Sequence, residues 1–151
     1  MNKLSMLLAI IVIHHEACAG TTGESLYGNW AITGVADAQE ITSLSSDDAD
    51  KLTGKTFVVQ SSEIRFDGET CLHPQFKKSS QSTESFFRRE YKMTPKKLRL
   101  PNPVTEVEVT CDAPSEISFI YRRNKGEIVI FWNGFFLNAQ KSASTGGQSR
   151  R

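Results

Sequence analysis

The chain has 151 residues, 38% of them apolar, and sets 18 Lys and Arg against 17 Asp and Glu for a formal charge of +1. So even a balance argues against general nucleic-acid or membrane-surface binding. Three cysteines and three histidines are the whole supply of thiolate ligands and imidazole bases.

Lys3, an apolar core from Leu4 to Ile13, the polar His14-His15-Glu16 and then Ala17-Cys18-Ala19 follow the order of a secretory signal peptide with an A-x-A cleavage site. The apolar run is too short to span a bilayer as a helix, and no later segment is long and apolar enough to do so. Residues 1–19 are therefore expected to be cleaved after Ala19, which places the mature chain in the periplasm or outside the cell. The rival reading lipidates Cys18, but a lipoprotein signal wants Leu or a similar residue three positions earlier, where His15 stands. Cleavage removes one base, Lys3, and one acid, Glu16, so the charge stays at +1. About 130 residues remain, enough for one domain with a single core.

Residues 20–25 are small and polar and read as a flexible leader. From Leu26 to Gly34 apolar and polar residues alternate, with Trp30 and Ile32 on one face, which predicts the first strand. Ser45-Ser46-Asp47-Asp48 has the form of a helix N-cap and Gly54 that of a C-terminal cap, so a short helix is expected near 45–53. Residues 55–61 and 63–66 follow as a second hairpin, ended by Asp67-Gly68. Thr70 to Thr83 reads as loop. Ser85 to Tyr91, rich in aromatics, and Lys96 to Leu100 read as strands.

From Val104 to Lys141 four β-branched or aromatic runs are separated by Asp112-Ala113-Pro114, Asn124-Lys125-Gly126 and Asn133-Gly134. Asn-Gly between two apolar runs is a strong hairpin signal, because a type I′ turn needs positive φ at both central positions. Four antiparallel strands with short turns are the expected result, and the earlier chain must cover their apolar face. The whole is an all-β chain of about eight strands. It is expected to close as a single antiparallel up-and-down barrel over 26–142, with 143–151 as a disordered tail.

Gly28-x-Trp30 just after the leader, followed by this succession of strands, resembles the lipocalin or calycin group. The resemblance implies a tryptophan packed across the closed end of the barrel under a basic side chain from near the chain's end, a role open to Arg122, Arg123 or Lys141. The lipocalin T-D-Y motif and the helix after the last strand are missing. Leu52-x-Gly54-Lys55, Phe66-x-Gly68 with Cys71 beyond, and Trp132-Asn133-Gly134-Phe135 also look like small periplasmic bacterial proteins with a lipocalin-like barrel. That likeness implies a fold and a compartment and no reaction.

Cys71 and Cys111 remain after cleavage, and an even number in an oxidising compartment means one disulfide. Closing a loop of about 40 residues stabilises by roughly 4 kcal/mol on the chain-entropy account. His73 makes a Cys-x-His pair with Cys71, but a closed zinc site needs four N or S ligands and none stands nearby, so no metal is expected. No cofactor motif, no G-x-S-x-G and no phosphate-cradling glycine loop occurs.

Glu106 and Glu108 share a strand face; pointed inward they would repel and raise a pKa, as in a general acid. The plainer reading sets them outside with Val104 while Val107 and Val109 fill the core. Arg88, Arg89, Lys92, Lys96, Lys97 and Arg99 form either an anion or partner strip or a solvated face guarding an edge. Trp30, Phe57, Phe66, Phe119, Phe131 and Trp132 either line a pocket for a small apolar ligand or simply fill the barrel. These readings predict a monomeric, non-catalytic, lipocalin-like binding protein that holds a small apolar ligand or an envelope protein partner. The alternative is a proteinaceous inhibitor or immunity protein blocking a hydrolase or toxin through the loop Thr70 to Ser82.

Overall fold

The computed structural model describes residues 26–143. The expected signal peptide with Cys18, the expected leader and the tail from 144 lie outside the described residues. The chain forms β1 (Gly28–Ala38), α1 (Ser46–Asp50), β2 (Thr56–Val59), β3 (Glu63–Phe66), β4 (Glu69–Leu72), β5 (Gln75–Gln81), α2 (Thr83–Glu90), a 3₁₀ turn (Pro95–Leu98), β6 (Val104–Thr110), β7 (Phe119–Arg122), β8 (Glu127–Trp132) and β9 (Phe135–Lys141).

All nine strands belong to one antiparallel sheet in the order β4-β3-β2-β1-β9-β8-β7-β6-β5. Every pairing but that of β1 with β9 joins strands consecutive in sequence, and of the consecutive strands only β4 and β5 do not pair. The expected closed eight-stranded barrel is therefore corrected to a curled nine-stranded sheet that stays open between β4 and β5. Those two edge strands meet only at the corner His73-Pro74. There the disulfide Cys71–Cys111 ties β4 to the chain just past β6, over a sequence separation of 40. Asp112 N–H donates to the Leu72 carbonyl at 3.2 Å and Glu116 N–H to the Glu69 carboxylate at 2.7 Å, so the corner is laced. Among the described residues no helix is long and apolar enough to cross a membrane.

Local chemistry explains several elements. Asn133 and Gly134 both have positive φ, 49° and 88°, which the two-residue turn between β8 and β9 requires. A Cβ at Gly134 would also lie 3.0 Å from the Ile41 carbonyl oxygen, so the segment before α1 packs on this turn only because the side chain is absent. Ser45 caps α1 as its sequence predicts, its Oγ accepting from Asp48 N–H at 3.2 Å. Asp67 and Gly68, at φ 48° and 84°, make a turn of the same kind, but it joins β3 to β4 and extends the sheet.

Three sequence expectations fail between residues 70 and 100. The segment read as loop from Thr70 to Thr83 holds the end of β4 and all of β5. β5 carries few apolar residues, and its extended state comes from seven register pairs with β6, Gln75 opposite Thr110 through Gln81 opposite Val104. Ser85 to Tyr91 is not a strand: most of it lies in α2, and Lys96 to Leu100 is mainly the 3₁₀ turn.

The curl packs two cores. The inner one gathers Trp30, Ile32, Phe57, Ile64, Phe66, Val107, Ile120, Ile130 and Trp132 with Leu26, Ala49 of α1 and Leu52 just beyond it. Opposite walls meet in it, for the Phe66 ring from β3 stands edge-on to Trp132 from β8 at 4.9 Å. The outer core lies on the convex face under α2, where Phe86, Phe87 and Leu98 cover Val104, Tyr121, Val129 and Phe136.

Candidate functional site

Trp30, Phe57, Phe66 and Trp132, four of the six rings proposed as a pocket, are all buried in the inner core. Phe57 packs on Phe66 at 5.7 Å and Phe66 on Trp132 at 4.9 Å, both edge to face. Rings in mutual contact fill space that a ligand would need. Trp30 Nε1 donates to the Leu26 carbonyl at 2.8 Å, satisfying its one polar atom. Of the three basic residues named for the place over Trp30, Lys141 takes it, with Nζ 5.2 Å from the ring. The glycine of Gly28-x-Trp30 has a matching reason: a Cβ there would come within 3.2 Å of Lys141 Cε.

Phe119 and Phe131 sit elsewhere. Both pack against the outer core, Phe131 5.2 Å from Tyr91 and 5.0 Å from Phe136, and Phe119 opposite Phe131 in the β7–β8 register. The inward placement expected for them is corrected, because β7 and β8 bury both their faces once α2 covers the convex side.

Beside α2 and next to β5 opens a cavity of about 380 Å³ lined by Gln81, Phe86, Arg89, Glu90, Tyr91, Glu106, Glu108 and Phe119. Its position follows from strand alternation: Val107 and Val109 point into the curl, so Glu106 and Glu108 point out with Val104. Val104 is covered completely, and Glu106 is drawn half beneath the helix end. A chain of hydroxyls holds it. Ser79 Oγ donates to Glu106 Oε1 at 3.2 Å and Tyr121 Oη to Oε2 at 3.3 Å, while Tyr121 in turn shares a short hydrogen bond with Tyr91.

Burial pushes the Glu106 carboxyl above its ordinary range, and the charges of Glu108 and Glu90 push the same way against the two hydroxyl donors. Burial likewise raises the Tyr91 phenol to about 12 and the Tyr121 phenol further still. Both therefore act as neutral donors near neutral pH.

The basic strip is not a strand face but winds round α2 and the turn after it, and much of it is already paired. Arg88 bonds Glu84 at 2.7 Å, Arg89 bonds Glu90 at 2.6 Å, and Lys97 reaches Asp37 at 3.1 Å. Lys92 Nζ donates to the Arg89 carbonyl at 2.8 Å. Lys96 and Arg99 line a smaller cavity of about 240 Å³ with Thr83 and Asn102. Arg99 has φ 49°, and its charge, second to burial, lowers the pKa of Arg123, whose Nε is bonded to the Leu98 carbonyl at 2.7 Å.

His73 lies at the corner between the edge strands, its Nδ1 2.6 Å from Asp112 Oδ2, with both side chains exposed. Among the described residues no group of three or more His, Cys, Asp or Glu could hold a metal ion. Sequence reasoning missed Tyr121 and Ser79 as partners of Glu106, and Tyr91 bonded behind Tyr121. The signal available was Tyr121 two residues from Phe119 and opposite Glu106, legible only once α2 is known to cover that face. Compared with protein-family models, with curated proteins and with solved structures, the chain matches none of them.

Proposed function

We propose that this chain is an exported, non-catalytic binding protein that engages an envelope partner on its convex face, at the cavity beside α2. The observation that carries the reading is the contrast in packing: Phe57 packs on Phe66 and Phe66 on Trp132 inside the curl, with Trp30 buried in the same core, whereas Glu106, Tyr91 and Phe119 border open space outside it. A cavity of about 380 Å³ falls in the lower part of the usual range for ligand sites, roughly 300 to 1,000 Å³. Perturbed carboxyl and phenol groups gathered at one opening mark functional sites more often than chance. The disulfide supports export, since such bonds persist in oxidising compartments.

Of the binders expected from sequence, the carrier of a small apolar ligand is less favoured by the contacts that Phe57, Phe66 and Trp132 make with one another in the inner core. The inhibitor reading rested on Thr70 to Ser82 as a projecting loop, and that segment is built into two edge strands. A photo-crosslinking residue at Gln81, on the rim of the cavity, tests the proposal in the native envelope against the same residue at Lys125 in the β7–β8 turn. A discrete adduct from position 81 alone is the expected result. Equal adducts from both positions, or none at 81 together with quenching of the tryptophans by fatty acids, would return the function to the interior.

A further inference from the structure

Resting on the reading that the cavity beside α2 is the binding site, we infer that it takes an organic cation, an alkylammonium or guanidinium group seated against Phe119 and Tyr91 and paired with Glu106 and Glu108. The charges around the opening are lopsided. Among the described residues Glu90, Glu106 and Glu108 line it against the single cation Arg89. Arg89 is spent on Glu90, and among the described residues the ion pair of Glu108 is with the outlying Lys77 at 3.4 Å, a contact whose lysine side chain is mostly exposed. Both hydrogen-bond donors to Glu106 are neutral hydroxyls, so its charge is solvated by dipoles and repelled by its two acidic neighbours.

The walls suit a cation as well. Phe86, Tyr91 and Phe119 present aromatic surface, whose negative face attracts ammonium and guanidinium groups within about 6 Å. The protein already makes this contact at the same opening: the Arg89 guanidinium rests 5.9 Å from the Phe86 ring centroid. An anion would face three carboxylates. A neutral ligand would leave Glu106 as uncompensated as before, whereas a cation offsets the repulsion and gains the ring contact together. Taking about 30 Å³ for each water in the liquid, 380 Å³ is room for about a dozen waters, enough for the head of a lysine or arginine side chain or a short free amine.

The test is an NMR titration of the intact mature chain, phenylalanine and tyrosine rings labelled, with butylammonium chloride, with butanol as its neutral isostere, and with sodium chloride at matched ionic strength. Shifts confined to Phe86, Tyr91 and Phe119, saturating with butylammonium and absent with the other two, are expected. In the doubly neutral variant E106Q/E108Q affinity should fall at least tenfold, with the Trp30 indole signal confirming the fold. Equal responses to butanol and butylammonium, or none to any probe, overturn the inference whatever the variant does.

Two peptide arms separate the sources. A lysine-containing tripeptide that binds at least as tightly as butylammonium, while its norleucine counterpart does not, assigns the cation to a partner protein's side chain; binding of the free amine alone assigns it to a small metabolite. If the rings stay silent while a crosslink forms at position 81, the cavity keeps its role and only its chemistry is wrong; if the crosslink also fails, the reading beneath it falls.

Discussion

Phe57 and Phe66 inside the curl, and Phe86 and Phe87 outside it, are the same side chain in two circumstances. The inner pair belongs to strands locked into a nine-stranded sheet, with the disulfide lacing the corner where its edges meet. The outer pair belongs to one eight-residue helix, which no strand pairing secures and which leans on the sheet through its rings and on the 3₁₀ turn. Thr83 adds two bonds, its Oγ1 donating to the Pro101 carbonyl at 2.6 Å and its N–H to Asn102 Oδ1 at 3.1 Å. A helix this short is marginal by itself. The difference teaches that the inner layer is the scaffold, and the outer layer is a separately packed cover that borders the proposed binding surface.

Substitutions inside the curl should break the whole molecule. Trp30→Ala removes a fully buried ring, the indole bond to Leu26 and the seat of Lys141, and should cost about 4 to 5 kcal/mol in urea unfolding followed by circular dichroism. Replacing Cys71 and Cys111 together by alanine should cost about 4 kcal/mol, because the unfolded chain regains the freedom of a 40-residue loop. Both changes are expected to lower every probe of folding in parallel.

Outside the curl the effect should be smaller and local. Phe87→Ala is predicted to cost about 3 kcal/mol, with α2 proteolysed or exchanging while β1 to β9 stay paired. Tyr121→Phe should cost about 1 to 2 kcal/mol, since it strands the half-buried Tyr91 hydroxyl and takes one donor from Glu106. If Phe87→Ala instead collapsed all probes at once, the two layers would be one cooperative unit and the contrast would be lost.

Glu106→Gln sharpens the comparison with the smallest effect. The carboxyl is raised in the folded state, so between its ordinary value near 4.5 and the raised one the native chain binds more protons than the unfolded chain. That contribution to stability is present at acid pH and is lost as pH rises through the folded value. The side chain is half exposed, so screening keeps the effect below about 1 kcal/mol. Thermal melts of the wild type should decline across that window relative to the Gln variant, and identical pH profiles would show that Glu106 is not held in an unfavourable place.

Some of this was legible in the residues. Asn133-Gly134, the Ser45 cap and the alternation of Val107 and Val109 against Glu106 and Glu108 are local devices, and local devices survive in any tertiary setting. Gly28, Trp30 and Lys141 also come together as one of the alternatives drawn from the resemblance, though a shared placement does not by itself establish a family. The failures cluster where tertiary context decides. β5 has Phe76 as its one large apolar residue and is extended because β6 pairs with it. In α2 the aromatics favoured a strand, yet the four-residue spacings Glu84 to Arg88 and Phe87 to Tyr91 were the helical signal: the first forms an ion pair at 2.7 Å and the second a ring stack at 5.4 Å. Reading that helix as a strand left Phe119 and Phe131 no outer core to join and left Glu106 without the cover that half-buries it.

Native-state hydrogen exchange, resolved by residue, tests the two-layer account most directly. Amides of residues 83–90 should exchange through an opening of clearly lower free energy and weaker denaturant dependence than the amides paired between β1 and β9 or the Trp30 indole bonded to Leu26. Amides of α2 that share the free energy and the denaturant dependence of β1 and β9 would contradict it.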